Sequence, residues 1–162
     1  MTNDKAEAAA VPIGEAAQKT GVKIPTIRYY EQIGLLPAPV RTDGNRRLYQ
    51  ETELRRLSFI RHARELGFDL KAIRALLSLQ DHPEQSCASA DAIARARLAE
   101  VRQRIARGAV TLNNASSFSA AGRVTTNVDE LTRMIDECAR GRIAECRVIE
   151  TLAQLHTHGT LA

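Results

Sequence analysis

Three cysteines, Cys87, Cys138 and Cys146, carry the most versatile chemistry in this chain of 162 residues. Deprotonated thiols are soft donors for metal ions, and they are equally the atoms that oxidants and electrophiles attack. Seven residues, Ala-Arg-Gly-Arg-Ile-Ala-Glu, separate Cys138 from Cys146. With Gly141 inside it, that segment is long enough to fold back and bring both sulfurs to one ion. A free cysteine is often a small buried hydrophobe, and Cys138 fits that description because it falls on an apolar seam. Cys87 follows Gln85-Ser86, and Cys146 stands between Glu145 and Arg147, so core packing explains neither. His156 and His158 could add a ligand, although a terminal His-Thr-His is ordinarily disordered. Arg140 and Arg142 could offset thiolate charge and are not assigned as ligands.

A second set of side chains is cationic and aromatic. Residues 1–75 hold 13 Lys+Arg against 9 Asp+Glu, and residues 76–162 hold 10 against 10. The positive excess therefore lies wholly in the first half, the footprint of a nucleic-acid-binding head joined to a neutral partner region. Ile13 to Thr20 reads as a short helix with Ala16 and Ala17 inward, and Gly21 suits a left-handed turn after it. Pro25 is tolerated only in a first turn, so the next helix starts near Lys23 to Thr26 and runs to about Gly34. Two short helices across a glycine turn form a helix-turn-helix candidate. Lys23, Thr26, Arg28 and Tyr30 are its candidate DNA contacts: arginine pairs bidentately with guanine or grips phosphate, and tyrosine donates to phosphate. Tyr29 is expected to face the core. After Pro37 and Pro39, Asp43-Gly44-Asn45 marks a turn between two short extended runs, a β-hairpin wing. The wing adds Arg41, Arg46, Arg47 and Tyr49, which suit the phosphate backbone.

The remainder is helical by period. Glu51 to Gly67 carries Leu54, Leu57, Ile60, Ala63 and Leu66 at three- and four-residue spacing, and Asp69 caps a further helix through Leu70, Ile73, Leu76 and Leu77. From Ser89 on, Ala94, Leu98, Val101 and Ile105 alternate by four and three as a coiled-coil seam. Val124, Val128, Leu131, Ile135 and Cys138 repeat it. The expected class is mainly α: a disordered extension over 1–11, a winged helix-turn-helix head over 12–80, a dimerisation helix over 88–137 interrupted near 108–127, and a metal-binding loop and tail over 138–162. No apolar run approaches the ~20 residues of a membrane-spanning helix, and Met1 to Pro12 lacks the apolar stretch of a secretory signal. Cytoplasmic residence and reduced thiols are the corresponding expectation.

The stretches Ile13-Gly14-Glu15-Ala16-Ala17, Thr26-Ile27-Arg28-Tyr29-Tyr30-Glu31, Gly34-Leu35-Leu36 and Arg41 through Tyr49, in this order, resemble the MerR family of transcription regulators over residues 13–80. The resemblance implies a homodimer held by a long antiparallel helix pair, with two heads on a pseudo-palindromic operator in double-stranded promoter DNA, where RNA polymerase also sits. Arg46 stands where many relatives have an aromatic residue. In metal-sensing members a cysteine pair forms a loop after the dimer helix, and a third cysteine comes from the start of the partner subunit's helix. Cys138 and Cys146 match the pair and Cys87 the third position, which goes with divalent ions. Coordination chemistry agrees: two thiolates suit a linear monovalent ion, whereas three or four donors suit Zn(II), Cd(II), Pb(II) or Hg(II). The chain is longer than the relatives between Ile105 and Cys138 by roughly four turns, and its Gly, Asn and Ser content there favours a looped-out bulge. Alternatives keep the same head with a redox or electrophile sensor, or with a Cu(I) sensor. An enzyme has little support, for no Gly-rich phosphate loop, nucleophile elbow or His-Glu-x-x-His pair is present.

Overall fold

The computed structural model describes residues 10–82, 84–109, 128–136 and 146–153. The chain forms two compact units, one of Met1–Ala63 with Leu152–Ala162 and the other of Arg64–Thr151. Val124, Cys138, Gly141, Arg140, Arg142, His156, His158 and the expected bulge from residue 110 onward lie outside the described residues.

In the first unit, α1 (Ile13–Thr20) buries Ala16 and Thr20, and α2 (Ile24–Gln32) buries Ile27 and Tyr30, with Pro25 in its first turn as expected. Gly21 takes φ 66 between them. A Cβ there would meet the guanidinium of Arg61, whose Nη1 donates to the Thr20 carbonyl at 3.1 Å. Beyond α2, Gly34 at φ 68 reverses the chain, and the amides of Leu35 and Leu36 both donate to the Tyr30 carbonyl. Strands β1 (Val11–Pro12), β2 (Val40–Arg41) and β3 (Arg47–Tyr49) form an antiparallel sheet in the order β1-β3-β2. The wing is therefore present, with Asn45 (φ 60) as its left-handed turn residue. Val11 departs from the expected disordered extension: it pairs with Tyr49 and is buried. A two-residue strand is too short for any alternation of apolar and polar side chains to announce it. Helix α3 (Glu51–Glu65) then buries Leu54, Leu57, Phe59, Ile60 and Ala63, and its Arg56 donates to the Leu35 carbonyl at 2.9 Å.

In the second unit, α4 (Leu70–Gln80) starts where the Asp69 carboxylate accepts from the Ala72 amide at 2.7 Å, and it buries Ile73, Leu76 and Leu77. Gly67 (φ 81) precedes it, with Arg97 of α5 (Ala88–Ala109) donating to the Leu66 carbonyl at 3.1 Å. The seam of α5 is buried at Ala90, Ala94, Leu98 and Val101, but its last member, Ile105, is 39% exposed. Residues 128–136 are helical (α6) and bury Leu131, Met134 and Ile135. Helix α7 (Arg147–Ala153) follows.

Two substitutions test these junctions by urea unfolding. Gly21→Ala forces an alanine into left-handed backbone, a cost of about 1–2 kcal/mol, and displaces Arg61 from Thr20; Asp69→Ala removes one cap, a cost of about 1 kcal/mol. We expect both midpoints to fall with Gly21→Ala the lower; a midpoint for Gly21→Ala equal to wild type would refute the Arg61 clamp.

Candidate nucleic-acid interface and thiol pair

On α2 the step of ~100° per residue decides which side chains leave the core. Taking Ile27 as the inward direction, Tyr30 lies within ~60° of it, Arg28 ~100° away and Tyr29 ~160° away. Accordingly Arg28 is exposed, Tyr29 is 46% exposed and Tyr30 only 7%. This reverses the expected roles of the two tyrosines: Tyr30 is a core residue, and Tyr29 presents its ring to solvent beside Arg28. Lys23 is exposed and Thr26 half-buried at the start of the same helix.

The wing divides in the same way. Arg41 and Arg46 are exposed, and the Nη1 of Arg41 donates to the Asn45 side-chain oxygen at 2.6 Å across the turn. Arg47 turns inward, its Nε 3.0 Å from the Glu31 carboxylate. Tyr49, a candidate phosphate contact, is fully buried instead, and its hydroxyl donates to the other oxygen of Glu31. Burial first, and then the hydrogen bond to that carboxylate, push its phenol far above the ordinary tyrosine value, so Tyr49 is a neutral donor fixed within the head. It ends β3, the middle strand of the sheet, where it pairs with Val11 of β1. Glu31 had no assigned role in sequence, since a carboxylate in a basic head has no affinity for phosphate; its partners lie 16 and 18 residues away. Of the cations singled out in the head, Lys23, Arg28, Arg41 and Arg46 are the ones placed at the surface.

In the second unit the structure joins Cys87 to Cys146 by a disulfide, with Cα atoms 5.8 Å apart, inside the span such a bridge requires. Both sulfurs come from one chain, whereas the resemblance implied a Cys87 supplied by the partner subunit, and composition implied free thiols. Both residues are also buried, at 2% and 1% exposure, although their polar neighbours in sequence argued against it. Each immediately precedes a helix: the Cys87 carbonyl accepts from Asp91 at the start of α5, and the Cys146 carbonyl from Glu150 at the start of α7. Reduction would return two soft donors to one place, and the amide end of a helix such as α5 is an environment that suits anions. Among the described residues no third His, Cys, Asp or Glu joins them. No helix among the described residues is long and apolar enough to cross a membrane.

A family model described as MerR HTH family regulatory protein matches residues 11–80, and one described as MerR, DNA binding, matches residues 54–112. The chain is 44% identical over 125 residues to the HTH-type transcriptional regulator ZntR of Escherichia coli strain K12, covering 73% of this chain and 89% of that one. It is 48% identical over 75 residues to the mercuric resistance operon regulatory protein of Bacillus cereus, covering 46% of this chain and 57% of that one. Among solved structures it is similar to the transcription regulator PbrR691 of Ralstonia metallidurans CH34 in complex with lead(II), with a TM-score of 0.55, 34% identity, and coverage of 88% of this chain and 98% of that one. An exposed basic helix beside a basic wing is a surface for duplex DNA, and with these matches the conclusion is that the chain belongs to the MerR family of helix-turn-helix transcription regulators.

Proposed function

We propose that the chain is a metal-responsive regulator which binds a promoter operator as a homodimer, acts there with RNA polymerase, and activates metal-resistance genes when a soft divalent ion engages Cys87, Cys138 and Cys146. The observation that carries this reading is the meeting of Cys87 and Cys146, 59 residues apart in sequence, at one point of the fold. Two thiolates on one zinc-sized ion each sit about 2.3 Å from it, a spacing that paired cysteines reach with small side-chain movements. The relatives' names support a metal effector: one is a mercuric resistance regulator, and the PbrR691 structure holds lead(II). Three thiolates favour Zn(II), Cd(II), Pb(II) or Hg(II) over a monovalent ion. Because a disulfide offers no thiolate, the metal-binding form is the reduced one.

On the DNA side, Arg28 and Tyr29 read or grip the major groove while Lys23, Thr26, Arg41 and Arg46 hold phosphates. Arg47 and Tyr49 act through Glu31, setting the wing against α2.

Titration of the reduced protein with Hg(II), Cd(II) and Pb(II), followed by thiolate-to-metal charge-transfer absorbance, and with Zn(II) by chelator competition, tests the effector. One divalent ion per site, bound far more weakly by Cys87→Ser, is the expected result; no tight binding of any ion, with thiols still reactive, would replace this reading with a redox or electrophile sensor. For DNA, Arg28→Ala should cost about 1–3 kcal/mol on the operator and relax sequence choice, whereas Arg46→Ala should weaken operator and random duplex alike and lower the salt slope by about 1. Glu31→Gln should destabilise folding by about 1–3 kcal/mol and weaken DNA binding without touching a phosphate contact. Unchanged stability in that variant would show that the wing is held by other means.

A further inference from the structure

The turn after α3 is held from three directions, all inside the second unit. The Asp69 carboxylate takes the Ala72 amide of α4 at 2.7 Å, and Arg64, in the last turn of α3, donates from Nη1 to the Phe68 carbonyl at 2.8 Å. The third bond comes from α5. There the Nε of Arg97 donates to the Leu66 carbonyl at 3.1 Å, at a helix end where carbonyls lack helical partners. The same guanidinium lies where a side chain on Gly67 would begin, so the left-handed glycine at φ 81 is what admits it. Its Nη1 pairs with Glu100 at 2.7 Å, and the other oxygen of Glu100 accepts from Arg104 at 2.7 Å. Arg97 is thus pinned along both edges of a planar fork, and its side chain is 13% exposed against 65% for Arg104. Exposed pairs within one helix, such as Arg104 with Glu100, contribute little; Arg97 instead reaches off α5 to another element.

Two connections run through this bond. Along α5, Arg97 stands ten residues after Cys87, about 15 Å of straight helix, so a shift or rotation of α5 at its start is carried to Arg97 as movement of a rigid rod. Along the chain, α3 runs unbroken from the first unit, whose leading stretch ends at Ala63, into the second, which begins at Arg64. The turn that Arg97 holds therefore follows the helix whose earlier turns brace the head, through Arg56 at Leu35 and Arg61 at Thr20. We propose that Arg97 is the positioning residue through which α5 and the DNA-binding head sense one another: its fork ties the turn after α3 to α5, and a displacement on either side is passed to the other. Transmission from a bound metal ion rests on the function proposed above; transmission from bound DNA does not.

Coupling between two sites is reciprocal, so the first arm of the test uses no metal. Hydrogen exchange in residues 88–109 is followed by mass spectrometry with and without an operator duplex selected from random sequence by the purified protein. In wild type, and in Arg102→Met at an exposed position of the same helix, bound duplex should slow exchange there by about fivefold or more. Arg97→Met should bind the duplex with wild-type affinity and lose that slowing, and Arg97→Lys, which keeps a donor for the Leu66 carbonyl, should regain part of it. An α5 insensitive to DNA in wild type, or equally sensitive in Arg97→Met, overturns the inference. So does a loss of DNA affinity in Arg97→Met that follows a lower urea midpoint, the mark of a structural brace. Should Arg97→Met not fold, Glu100→Ala, which frees the outer edge of the fork, decides: a full wild-type response in it overturns the inference. The second arm measures transcription by RNA polymerase from a promoter carrying the same operator, with and without Cd(II). Arg97→Met should bind Cd(II) as wild type does and lose about fivefold or more of the induction ratio; unchanged induction overturns the inference. Wild type that does not respond to Cd(II) defeats the proposed function and leaves the first arm to decide the coupling.

Discussion

The head depends on one carboxylate. Glu31 lies in the last turn of α2, where the helix dipole opposes a negative charge, and it is nearly enclosed, with its side chain 11% exposed. Such a group is held only by charge and hydrogen bonds from elsewhere, and both come from β3: the guanidinium of Arg47 and the hydroxyl of Tyr49. The strands of the wing are two or three residues long, too little for a sheet to stand alone. Through Glu31 the helix that offers Arg28 and the hairpin that offers Arg41 and Arg46 become one rigid surface, and the spacing between their cations is set before any DNA arrives.

The same economy appears in α3. Arg61 and Arg56 reach back to the carbonyls of Thr20 and Leu35, one at the C-terminal end of α1 and the other in the loop beyond α2, each a place where carbonyls lack helical partners. These cations contribute to the basic balance of the head yet serve its internal joints. Charge counted from composition therefore overstates what is offered to phosphate, and the surface group of Lys23, Arg28, Arg41 and Arg46 is the better measure of it.

Much of this was legible in the sequence. The short helices, the glycine turn at Gly21, the first-turn Pro25, the wing and the Asp69 cap rest on local rules, and local rules act within a few residues. The errors came where distance decides. The placement of Tyr29 and Tyr30 turns on the angle from Ile27, not on adjacency to Arg28, and that of Tyr49 on its position in the middle strand, not on its arginine neighbours. Cys87 and Cys146 looked exposed because Gln85, Ser86, Glu145 and Arg147 are polar, yet their burial is decided by each other across 59 residues. The paired strand at Val11 was invisible for a related reason: its evidence lies in Tyr49, not in its own neighbours.

The alternation along α2 has a consequence for how such a regulator changes its target. Arg28 and Tyr29 project toward solvent, Tyr29 keeping a ring contact with Tyr30 at 6.0 Å between centroids, while Tyr30 and Glu31, the next two residues, anchor the core and the wing. Under the DNA contacts proposed above, recognition and architecture thus occupy separate letters of one short word. Mutation can rewrite the first pair and explore new operators while the second pair keeps the head folded, so the family's scaffold can diverge in address without passing through an unfolded ancestor.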